Sequence, residues 1–174
     1  MSVAELQATT LLGQIRPIPQ DFLDRVRNEN VDDLRQPVRR IRAKGGEPCR
    51  DALRRALPGE ELILASFSPF ASIGPYREFG PIFVLANDDE AVAAESLQIG
   101  GPTDYLREQF VIRAYSKDEE ILDARLADAA GAQGIVNEFF ARADVAFLHV
   151  RFPTYGCFAC RIDRRGWVDG MSAS

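Results

Sequence analysis

Two cysteines three apart, Cys157-Phe-Ala-Cys160, have the spacing most readily tied to chemistry in this chain. Such a pair binds zinc, or cycles between dithiol and disulfide, when a tight turn or a helix N-terminus points both sulfurs one way. Here the surroundings read as a strand, where side chains alternate between faces. A spacing of three then separates the thiols: Cys160 joins Phe158 and Ile162 in the core, and Cys157 joins Arg161 and Asp163. Zinc would need two more ligands, and only Cys49 and His149 remain to supply sulfur or imidazole. No metal or other cofactor is expected.

His149 is the single histidine. In Val145-Ala-Phe-Leu-His-Val-Arg-Phe152, alternation puts Ala146, Leu148, Val150 and Phe152 on one face and Val145, Phe147, His149 and Arg151 on the other. Pairing core face to core face gathers His149 and Arg151 with Cys157, Arg161 and Asp163. A neutral imidazole beside a thiol and guanidinium groups can activate the thiol or bind an acidic ligand. The bland alternative is an outer sheet face of cross-strand Arg–Asp pairs. A third group of residues lies in Gly74-Pro-Tyr-Arg-Glu-Phe-Gly-Pro81, where two Gly-Pro pairs stiffen the backbone. Arg77 suits a carboxylate or phosphate and Tyr76 can stack beside it, unless Tyr76 and Phe79 simply cap the core.

The elements that would carry these residues follow from hydrophobic periodicity. Extended segments are expected at Leu11–Arg16, at the edge Val38–Arg42, at Leu62–Phe67 after the Pro58-Gly59 turn, and at Ile82–Ala86. Phe22, Leu23 and Val26 mark a helix within Gln20–Asn28, and the acidic, alanine-rich Asn87–Gly101 stretch suggests a helical turn or two. Phe110–Tyr115 with Ile121–Ala127, and Val145–Phe152 with Cys157–Asp163, read as hairpins on either side of a helix within Ala129–Ala143. The fold class is therefore α+β: one domain over residues 11–164, mainly antiparallel sheet built from hairpins, with two or three helices on one face. Residues 1–10 and 165–174 are expected to be loosely held tails, with Trp167 as the one anchor.

Composition limits the functional classes. The 174 residues hold 46% hydrophobic and 27% charged side chains, with a net charge of −5. An acidic chain disfavours nucleic acid, whose phosphates reward basic surfaces. No apolar stretch approaches the ~20 residues of a membrane span, and Met1-Ser-Val-Ala-Glu-Leu-Gln7 is no secretory signal, so the cytoplasm is the expected location. Residues 35–55 are the exception in charge, with eight basic side chains against Glu47 and Asp51. They form either a rim paired with the chain's own acids or a local site for a small anion.

Pro48-Cys49-Arg50, Pro58-Gly59-Glu60, Gly74-Pro-Tyr-Arg-Glu78 leading to Pro81-Ile-Phe-Val84, Arg113-Ala-Tyr115, Leu148-His-Val150 and Gly156-Cys157 together resemble the bacterial domain-of-unknown-function family numbered 1203. The resemblance runs from about Leu11 to Arg164 and implies one domain without supplying a reaction. Two positions depart from the family's pattern: Leu85 and Arg151 stand where it has histidines. The function expected is binding of a compact anionic molecule, with or without catalysis. Cys49, Arg50, Tyr76, Arg77 and Arg151 would hold the ligand, and His149 with Cys157 would carry any proton or covalent chemistry. The rival is a non-catalytic interaction module, a homodimer formed through an exposed sheet face or the Val38–Arg42 edge.

Overall fold

A computed structural model describes residues 9–87 and 96–165. Along the chain, β1 (Thr9–Leu12), β2 (Gln14–Arg16) and α1 (Gln20–Asp24) lead into a wider π-helical turn, Arg25–Glu29. Then come β3 (Arg39–Arg42), β4 (Pro48–Cys49), β5 (Arg54–Arg55), β6 (Glu61–Phe67), β7 (Gly80–Leu85) and β8 (Ser96–Ile99). β9 (Gln109–Tyr115), β10 (Ile121–Asp128), α2 (Ala132–Ala141), β11 (Phe147–Arg151) and β12 (Phe158–Asp163) complete the order.

These strands form two five-stranded sheets, in the orders β10-β9-β11-β12-β2 and β3-β6-β7-β4-β5, and a two-stranded β1-β8 ribbon. The first sheet is antiparallel throughout; in the second, β4 joins β7 in parallel. Each sheet has an apolar face of its own to cover, so the two helices separate instead of sharing one face. Phe22 and Leu23 of α1, with Val26, pack on Ile63, Ala65 and Phe67 of β6 and Ile82 and Val84 of β7. Val136 and Phe139 of α2 pack on Phe110 and Ile112 of β9 and on Leu148 and Val150 of β11.

The last residues of the stretch expected to turn helically form β8 instead. Leu97 and Ile99 are each 1% exposed around an exposed Gln98, the two-residue period of a half-buried strand. Residues 88–95 and Trp167 lie outside the described residues. Arg164, the last residue of the expected domain, holds the carbonyls of Phe140, Arg142 and Val145 with its guanidinium. Among the described residues no helix is long and apolar enough to cross a membrane.

The sheets meet where Phe158 leaves the first and enters the second's apolar cluster, its ring 5.5 Å from that of Phe67. Arg50 crosses the same boundary. Its backbone N–H donates to Phe83 O at 2.9 Å, and its Nε donates to Phe158 O at 2.8 Å.

Candidate anion-binding site

Register on the first sheet sets one row of side chains beside another. Arg113 and Arg161 flank His149, and Tyr115 and Asp163 flank Phe147. Arg151 lies between Val111 and Phe158. This face turns away from α2, because the alternate residues Leu148 and Val150 fill the α2 core. The long 68–79 connection between β6 and β7 covers it. Phe70 from that loop places its ring 5.5 Å from Tyr115 and 5.1 Å from His149. The Glu119 carboxylate, in the β9–β10 turn, ties the loop down by accepting from the N–H groups of Ala71 and Ser72, each at 2.8 Å.

Electrostatics under the loop are unusual for so buried a place. His149 is fully buried among Phe70, Tyr115, Phe147 and Phe158, whose ring centres lie 4.6–5.2 Å away. Neither ring nitrogen has a hydrogen-bond partner. Burial, followed by the Arg151, Arg161 and Arg113 charges, holds its pKa well below the usual histidine value, so the imidazole is neutral. The hydroxyl of Tyr115, Nε of Arg151, Nε of Arg77 and the hydroxyl of Ser68 are likewise buried and unpartnered. Arg151, 4% exposed, donates from Nη1 to Gly156 O at 3.3 Å and forms an ion pair with Glu78 of the loop. Arg113 reaches the same Glu78 oxygen at 3.9 Å. Arg161 lies over the Phe147 ring at 3.8 Å and donates to Asp163 at 2.7 Å, while Asp163 also takes Arg16 at 2.6 Å. Three guanidinium groups thus surround one neutral imidazole, and one of their two carboxylates is shared with a fourth arginine.

The sequence-expected residues divide between this place and others. His149, Arg151, Arg161 and Asp163 share the face. Cys157 does not, because a bulge separates it from them. Val150 pairs with Cys160 but Arg151 pairs with Phe158, so Ala159 is an extra residue and alternation reverses beyond it. Phe158 therefore turns to His149, and Cys157 lies across from Phe152, whose N–H donates to Cys157 O at 3.0 Å. That is three residues along β11 from His149, roughly 10 Å of extended chain. The carbonyls freed by the bulge find side-chain donors: Arg50 takes that of Phe158, and the Tyr105 hydroxyl takes that of Ala159 at 2.7 Å.

Cys49 is fully buried with Ala43, Ala56, Leu62 and Leu85, and burial pushes its thiol up to about 12. Arg50 is 4% exposed and holds the carbonyls of Phe158 and Pro48. Other arginines of the basic window are similarly engaged. Arg54 donates to both Glu60 oxygens at 2.8 Å, and Arg55 donates to the carbonyls of Gly46 and Tyr105. Tyr76 is 43% exposed at the crest of the loop. Arg77 closes a Gly74-Pro-Tyr-Arg turn through its N–H, 3.1 Å from Gly74 O, and lies over the Phe79 ring.

Sequence reasoning did not single out Tyr115, Arg113 or Glu78 as site residues. Arg113 and Tyr115 are two apart in a strand and so share a face, a usable signal. Glu78 could be assigned only once the loop's landing place was known.

Among the described residues no three histidine, cysteine or carboxylate side chains come together to hold a metal ion. Comparison with curated proteins and with solved structures gives no match. A family model described as "Protein of unknown function (DUF1203)" matches residues 46–164, which span Cys49, Arg50, the 74–81 loop, Arg113, His149, Arg151 and Cys157, and the chain belongs to that family.

Proposed function

We propose that the protein binds a compact anion beneath the 68–79 loop, on the face shared by β9, β11 and β12. The single observation that carries this reading is the set of buried polar atoms without partners: both nitrogens of His149, the Tyr115 hydroxyl and Nε of Arg151. Buried polar groups are nearly always hydrogen-bonded, and a cluster left open marks a place for a ligand or ordered water. Three arginines bias that place toward negative charge. Arg151 and Arg113 would hold the anion. Neutral His149, with one donor and one acceptor, and Tyr115 would orient it. The reading assigns no reaction, since Cys157 is remote from His149 along the strand.

The test is calorimetry and thermal denaturation of the full chain with acetate, phosphate and sulfate at fixed ionic strength. A ligand at 100 times its dissociation constant raises stability by about 2.7 kcal/mol. Arg151→Met is expected to abolish the response, and a wild-type chain that no anion stabilises would refute the reading.

A second reading, a homodimer or other interaction module without catalysis, is favoured by β3. It lies at the edge of its sheet. Light scattering that gives a monomer mass at high concentration would remove the dimer.

A further inference from the structure

We infer that Glu78 is an internal ligand: its carboxylate stands where a bound molecule's carboxylate would stand, and the site admits a compact carboxylate by displacing it. The inference rests on the anion site above and adds the ligand's class and the way the site is kept closed.

Glu78 belongs to a loop whose crest is in water, and its own side chain is 42% exposed. Yet Oε1 is buried, paired with Arg151 Nη2 and 3.9 Å from Arg113 Nη1. A surface carboxylate has no need to reach under the loop, because water solvates it well and an exposed ion pair adds little. Arg151 does need an anion. At 4% exposure its guanidinium has lost most of its hydration, and an unpaired buried charge is costly. Among the described residues Glu78 is the carboxylate that meets this need. Asp163, the other acid on the face, is engaged by Arg161 and Arg16.

The occupant's chemistry defines the vacancy. Glu78 brings a planar carboxylate on a short flexible stem, approached by guanidinium groups from two strands. A free carboxylate can repeat those contacts and, being untethered, can also reach toward the open hydrogen-bonding atoms of His149 and Tyr115. Both cannot be present at once, so binding requires Glu78 to withdraw. The side chain can do so without lifting the stiffened loop, since at 42% exposure it already borders the water into which it rotates. Competition by a tethered group lowers apparent affinity by the fraction of time the site is free.

The experiment compares wild type, Glu78→Ala and Glu78→Gln as full chains, titrated with acetate and with inorganic phosphate at constant ionic strength, by calorimetry and by thermal denaturation. Removing the internal carboxylate should tighten acetate binding about tenfold or more, as expected when the competitor fills the site for 90% or more of the time. Acetate should restore the thermal stability that Glu78→Ala loses, and Glu78→Gln should show a smaller gain. Adding Arg151→Met to either variant should abolish the effect. If acetate binds wild type and Glu78→Ala equally, while Arg151→Met still removes binding, the anion site stands and the internal-ligand inference falls. A gain for phosphate alone overturns the carboxylate assignment. Binding of neither probe to any variant removes the site itself. Because Glu78→Gln keeps the side chain's volume, it decides the matter even if the alanine variant unfolds.

Discussion

A neutral imidazole enclosed by aromatic rings should affect the chain's acid stability. His149 has its pKa held well below 6.5 by burial and three neighbouring guanidinium groups. As pH falls below about 6.5, the unfolded chain takes up a proton that the folded one refuses. Stability should therefore decline between about pH 6.5 and 5, by up to ~1.4 kcal/mol per pH unit. Replacing His149 with Phe should flatten this window. Urea denaturation of both chains at pH 7.5, 6 and 5 checks it, and parallel profiles would contradict it. This residue was visible in the sequence as the single histidine, and its face followed from alternation. Its neighbours were only partly visible. Arg151 and Arg161 came from the hairpin register, but Tyr115 and Arg113 needed the knowledge that β9 is the next strand over.

At the scale of elements, the bulge at Ala159 decides which side chains meet. It brings Phe158 against His149 and sends Cys157 to the opposite side. No glycine marks it, and strict alternation read from sequence has no means of detecting an extra residue. The bulge is held by donors far away in the chain: Tyr105 on the Ala159 carbonyl and Arg50 on that of Phe158. Tyr105→Phe would leave a buried carbonyl unsatisfied, at a cost of about 1–3 kcal/mol. Hydrogen exchange should show the loss concentrated around residues 157–160; a uniform loss, or none, would mean that the hydroxyl does not hold the bulge. The helices show the same limit. The apolar stripe of the first was legible at Phe22 and Val26, but which sheet each would cover depends on contacts distant in sequence.

At the scale of the whole molecule, the two sheets are joined through a small set of side chains. Phe158 belongs to β12 by hydrogen bonding and to the β6–β7 cluster by packing, and Arg50 ties β4 to the carbonyl of that same residue. Phe158→Ala should cost about 3–5 kcal/mol, and urea unfolding followed by fluorescence and circular dichroism should remain one transition. Two separate transitions would show that each sheet stands without the other. The division into two sheets was not readable beforehand, because strand order also depends on pairings between residues far apart in the chain, such as Ile15 with Ile162 and Cys49 with Phe83, rather than on local pattern alone.

Glu119 adopts φ +63°, an uncommon backbone region for a residue with a Cβ. It does so while gripping the loop at Ala71 and Ser72. Glycine would suit that backbone better but would let go of the loop. The residue that pins the covering segment therefore touches neither the arginines nor the imidazole, and a change there alters how firmly that segment is held without redrawing the side chains beneath it.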